Sequence, residues 1–169
     1  VWFGSSAEVA VSHQQLWTVG KIETLLTFVL LTVLVISFHE LGHAFTLKHY
    51  GGIVKEIGLL FMCFIPGCYT DTSDQYSLVK RKQRVAVVAA GVLVQVTIWA
   101  VAVWIWLFSQ SHPVWHQVSY LLMLASLLTV AINLNPLNRF DGYYLLVAGT
   151  GINNLRQRSF DFYADILRR

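Results

Sequence analysis

The stretch VAVVAAGVLVQVTIWAVAVWIWLF, residues 85–108, contains no charged side chain. A helix of about 20 mostly apolar residues crosses the hydrocarbon core of a bilayer. In lipid, only a helix or a closed barrel satisfies its own backbone N–H and C=O groups. Two further runs of this kind cover about residues 22–45 and 118–135. Charged residues make up 12% of the chain, against about 25% in a soluble domain. With 56% hydrophobic residues and a mean hydropathy of +0.57, a membrane is the expected solvent. The fold class is an all-α polytopic membrane protein with three transmembrane helices, 22–45, 85–108 and 118–135. Residues 1–169 read as a single membrane-embedded core. The chain begins at Val1 and its first twenty residues lack a basic signal-peptide region, so it is expected to be a fragment of a longer protein.

The net charge is +3, and its distribution gives an orientation. The connection 46–84 carries Lys48, Lys55, Lys80, Arg81, Lys82 and Arg84, whereas 109–117 carries no Lys or Arg. By the positive-inside rule, 46–84 and the C-terminal end face the cytoplasm. Basic residues set among such long apolar runs do not describe a nucleic-acid binder, and no nucleic-acid partner is expected. The run KRKQR, 80–84, suits anionic lipid headgroups. Trp104, Trp106, Trp115 and Tyr120 suit one membrane interface. The tail reads as an amphipathic surface helix with Leu155, Phe160, Tyr163, Ile166 and Leu167 on its apolar side.

Between the first two spans, Gly51-Gly52 is a turn signal and IVKEIGLLFMCF is rich in strand-forming residues, with Pro66-Gly67 a second turn signal. The apolar part is too short to span. It reads as a small β-hairpin or a re-entrant element, either packed on the helices or lying on the bilayer surface.

The first span ends in HELGH. His39 and His43, four apart on a helix, face the same side, so two imidazole nitrogens can meet one zinc ion at about 2.0–2.1 Å. Glu40 is placed to take a proton from a water at that ion and return it to a leaving amine. A glutamate in an apolar helix is costly, which favours function over chance. A catalytic zinc site needs a third protein ligand. Asp141 is the candidate, because Pro136 interrupts the third helix and polar residues, Asn133, Asn135 and Asn138, surround the break. The competing reading makes Asp141 a loop carboxylate paired with Arg139.

HELGH on one membrane helix, followed by Asn133, Pro136, Asp141 and Gly142 in NPLNRFDG on a later one, resembles the site-2 protease family of intramembrane zinc metalloproteases. The resemblance implies that His39, His43 and Asp141 bind Zn2+, that Glu40 is the general base, and that Asn133 assists near the substrate carbonyl. A family motif between them, A-G-P-x-x-N, is met only in part: Ala90 and Gly91 match, the proline is absent, and Gln95 stands for the asparagine. Residues 35–159 are similar to a bacterial subgroup of peptide zinc metalloproteases. That likeness implies the bacterial inner membrane, a peptide or membrane-protein substrate, and secretion-adaptor components as partners.

Other candidates are weaker. His112 and His116 flank Pro113 in the outer connection, and His13 and His49 lack sequence partners. Cys63 and Cys68 have the wrong spacing for a zinc half-site. Asp71 and Asp74 read as turn residues. The function expected is zinc-dependent intramembrane peptide hydrolysis near the cytoplasmic face. A membrane component of a peptide export or maturation assembly, with a structural metal, is the alternative. A metal transporter is weaker still, because the ligands gather at one end of the span.

Overall fold

A computed structural model describes residues 20–62, 65–152 and 154–167. The elements run α1 (Lys21–His49), β1 (Ile57–Met62), β2 (Ile65–Thr70), a 3-10 turn (Ser73–Ser77), α2 (Arg81–Phe108), α3 (Pro113–Asn133), α4 (Asp141–Thr150) and α5 (Leu155–Leu167). The first three helices are long and apolar enough to cross a membrane. They pack together as a bundle, with α2 antiparallel to α1 and α3. Gln117 meets Thr24 at one end of the bundle, and His43 meets Val87 at the other. This is the expected three-span architecture, and with the family evidence given below it makes the chain an integral membrane protein.

Interior and lipid-facing positions separate along α1. Val35, His39, His43, Ala44 and Leu47 are buried, while Ile22, Leu26, Leu30, Leu34 and Phe38 are exposed on a four-residue rhythm. In lipid an outward leucine stripe is well solvated, so close packing rather than burial of apolar area holds such helices together. Gly42 is one such contact: a Cβ there would stand 2.9 Å from Val94 Cγ2 and 3.1 Å from the Ala90 carbonyl oxygen. The helix ends where Gly51 turns left-handed at φ +84°, with Gly52 N–H donating to the Leu47 carbonyl and Gly51 N–H to that of Lys48. That pair of bonds is the Schellman arrangement glycine permits. Leu47 then packs with Leu78 and Val87 in a small core under the connection.

The segment between α1 and α2 is a two-stranded antiparallel hairpin, with Ile57 opposite Thr70 and Met62 opposite Ile65. Pro66 and Gly67 do not form the turn that their sequence suggests. They lie within β2, opposite Phe61 and Leu60. A two-stranded sheet leaves one side of each strand unpaired, and a proline is tolerated where its missing N–H falls on that side. The hairpin packs against α1: Cys68 Sγ touches Ser37 Oγ at 3.2 Å, and Thr70 Oγ1 donates to the Glu40 carbonyl at 3.2 Å. Cys63 and His13 lie outside the described residues.

Three other expectations change. Pro136 is not on the third helix. That helix stops at Asn133, because the residue before a proline is steered out of the helical region. Trp106 and Tyr120 are buried, whereas Trp104 and Trp115 are exposed, so only the latter two suit an interface. His116 belongs to the first turn of α3 rather than to a loop, and its ring stacks on Trp106 with centroids 5.3 Å apart. The tail does form a helix, α5, with Phe160, Tyr163 and Ile166 exposed.

Candidate metal centre

His39 and His43 project from consecutive turns of α1, and both are buried. Residues 134–140 turn back after α3, so that Asp141, the first residue of α4, reaches the two imidazoles. Gly142 makes this return possible. A Cβ there would lie 2.3 Å from the Leu134 carbonyl oxygen and 2.5 Å from its carbon, backbone atoms that cannot move aside. Asp141 Oδ2 stands 2.9 Å from His39 Nε2 and 3.2 Å from His43 Nε2, and the two Nε2 atoms are 3.1 Å apart. Asp141 therefore pairs with the histidines. Among the described residues it forms no ion pair with Arg139.

These three separations fit a zinc ion. Ligand bonds of about 2.0–2.1 Å at tetrahedral angles place neighbouring donor atoms about 3.3 Å apart. The chain's three donors already sit at that spacing, on one side of a cleft. His43 is oriented by a further bond: its Nδ1 lies 2.8 Å from the Val87 carbonyl. A carbonyl only accepts, so Nδ1 carries the proton and Nε2 keeps its lone pair for a metal. Burial pushes the Asp141 carboxyl up, but the imidazoles of His39 and His43 beside it outweigh that and hold the group down at about 2. It is therefore a ready anionic ligand.

Two residues that motif reading left without a role stand beside this centre. Gly91 on α2 faces the histidine pair: a Cβ would come within 2.4 Å of His43 Nε2 and 2.5 Å of His39 Cε1. Only glycine lets α2 approach so closely. Gln95, one helical turn on, is fully buried, and its Oε1 accepts from Asn133 Nδ2 at 3.4 Å. A glutamine in the middle of an apolar run was the available signal for it.

Glu40 and Asn133 line the same cleft as His39, His43 and Asp141, a cavity of about 380 Å³. On the other side is an apolar cavity of about 400 Å³ between α1 and α3, walled by Phe28, Ile36, Leu60, Leu128 and Ile132. His39, Glu40, Tyr69, Asn133 and Phe140 line both spaces. Asp71 and Asp74 serve the connection: Asp71 Oδ1 accepts from Ser73 N–H at 2.9 Å, and Asp74 Oδ2 from Ile53 N–H at 2.7 Å.

The family model described as Peptidase family M50 matches residues 27–120, more than half of the chain. The chain belongs to peptidase family M50. This is the site-2 protease family of membrane zinc metallopeptidases, and the match contains HELGH with most of α1 and all of α2. The NPLNRFDG segment lies beyond it, so the link between Asp141 and the motif histidines rests on the geometry above. The chain is also 30% identical over 82 residues to an uncharacterized protein of Methanocaldococcus jannaschii, a match taking in 48% of this chain and 22% of that protein. It thus spans about a fifth of that relative's length. No solved structure matches the chain.

Proposed function

We propose that this M50 peptidase is a zinc-dependent intramembrane endopeptidase. It hydrolyses peptide bonds of membrane-embedded or membrane-adjacent substrates, with its site towards the cytoplasm of a bacterial inner membrane. The observation that carries the reading is the junction of two spaces at one triad of donors. His39, His43 and Asp141 stand where a polar cleft meets an apolar cavity. Water has access from the cleft, and an apolar peptide from between α1 and α3.

In this reading His39, His43 and Asp141 hold zinc, which when bound supplies Lewis acidity and a water acidified towards a pKa of about 7. Glu40, lining both spaces, takes the water's proton and delivers it to the departing amine. Asn133, steadied by Gln95, donates its amide N–H to the substrate carbonyl as charge grows there. The hairpin beside α1 offers an unpaired strand edge to a substrate segment unwound from its helix, whose carbonyls are otherwise occupied by i→i−4 bonds. Secretion-adaptor components are the partners this reading expects.

The test pairs metal content with cleavage of a membrane peptide, using full-length protein in liposomes. Glu40→Gln is expected to keep zinc and lose cleavage, and Asp141→Ala to lose both. Wild-type cleavage rates in Glu40→Gln would remove Glu40 as the base. They would favour the reading of a membrane assembly component with a structural metal.

A further inference from the structure

The basic run 80–84 does not behave as one headgroup anchor. Lys80 and Lys82 are exposed, and Arg81 Nε donates to the Ala148 carbonyl at 2.9 Å, tying α2 to α4. Arg84 turns inward. It is half-buried, and its Nε is shut off from solvent without a hydrogen-bond partner. Among the described residues it forms no ion pair with a carboxylate. A guanidinium N–H buried without a partner is unfavourable unless something else supplies the acceptor.

Arg84 lines a cavity of about 220 Å³ together with Gln75, Tyr76, Val88 and Tyr144. Those four neighbours also line the cleft at His39 and His43, so the smaller cavity is a side chamber of the larger one. Among the described residues, no acidic side chain lines it. Gln75 Oε1 is likewise buried without a partner. Arg84 and two tyrosines thus line the chamber, and no described carboxylate stands there to meet them. Guanidinium matches a carboxylate in a two-point pairing.

We propose that this chamber is a carboxylate subsite, in which Arg84, with Tyr76 and Tyr144, binds an acidic group of the peptide lying in the cleft. The inference rests on the peptidase reading for the identity of the ligand. It makes the substrate one with an acidic residue, or a free C-terminal carboxylate, a few residues from the bond presented to Glu40.

The experiment uses the full-length zinc-loaded Glu40→Gln protein in liposomes, which holds peptide without cutting it. Binding of a fluorescent single-span peptide is measured with Glu stepped through its juxtamembrane positions, against matched Gln peptides and C-terminally amidated ones. A preference for Glu at one position is expected, and Arg84→Gln reduces affinity for that peptide at least tenfold while the Gln peptide stays within twofold. Arg84→Lys recovers part of the loss. If amidation, and not Glu→Gln, removes the preference, the carboxylate is the C-terminal one. Equal weakening of Glu and Gln peptides by Arg84→Gln overturns the proposal, because it marks a structural role. So does the absence of any carboxylate preference, including no peptide binding at all, or a chamber occupied by inorganic phosphate with peptides indifferent to Arg84. Cleavage of the same peptides by protein with Glu40 intact reports separately on the peptidase reading.

Discussion

At the residue scale, the proposed metal centre depends on what is absent as much as on its donor side chains. Gly91 leaves room for the His39 and His43 rings, and any side chain would press on Nε2 of His43. Disturbing groups that orient metal ligands typically costs about 10–100-fold in affinity. Gly91→Ala is accordingly expected to weaken zinc binding at least about tenfold, with helical content unchanged; a competition titration against a chelator measures it. Asp141 gives a second prediction. Its carboxyl is held at about 2, below the ordinary 3.8, so the folded state binds the proton less readily than the unfolded chain. The stabilisation this provides is complete above about pH 4 and is lost as pH falls through about 2. Thermal unfolding of metal-free protein should show the gap between wild type and Asp141→Asn closing across that window.

At the element scale, α1 and α2 approach closely through small residues, since lipid offers no hydrophobic drive for helix pairing. Gly42→Leu would push Leu against Val94 and the Ala90 carbonyl. Overpacking of this kind costs about 1–3 kcal/mol, and a lowered melting temperature in detergent is the expected result. The hairpin is held by contacts of a different kind. The Tyr69 ring covers Gly58, where a Cβ would meet it at 2.4 Å, and its hydroxyl bonds Glu56. Gly58→Ala should displace Tyr69, which lines both spaces at the centre. The expected effect is a severalfold rise in KM with zinc stoichiometry intact, read from steady-state cleavage beside metal analysis. The strand-rich composition of 53–65 made this element legible, but its register was not. Pro66-Gly67 carries the local chemistry of a turn, yet pairing with β1 and packing on α1 draw it into a strand.

At the scale of the whole molecule, charge bias supports the orientation proposed above. The end of the bundle that bears His39, Asp141 and Arg84 is also the end rich in Lys and Arg. Ser111, between α2 and α3, is exposed at the opposite end. In a background lacking Cys63 and Cys68, Ser111→Cys is expected to react with an impermeant maleimide from outside intact spheroplasts. Reaction only after lysis would reverse the proposed orientation.

The three spans, the histidine pair and its glutamate were written in the sequence by itself. Each depends on local spacing: about 20 apolar residues to cross lipid, and a four-residue step to put two imidazoles on one helix face. What lies far apart along the chain was decided by tertiary structure. Sequence left Asp141 divided between Arg139 and the histidines, and only the return of residues 134–140, packed through Gly142, brings its carboxylate to His39. Gly91, Gln95 and Arg84 looked like a motif remnant, a substitution and part of a headgroup anchor. Their surroundings come from α1, α3 and the 73–77 turn, and a residue's partners across a bundle leave no mark in the spacing of its own segment.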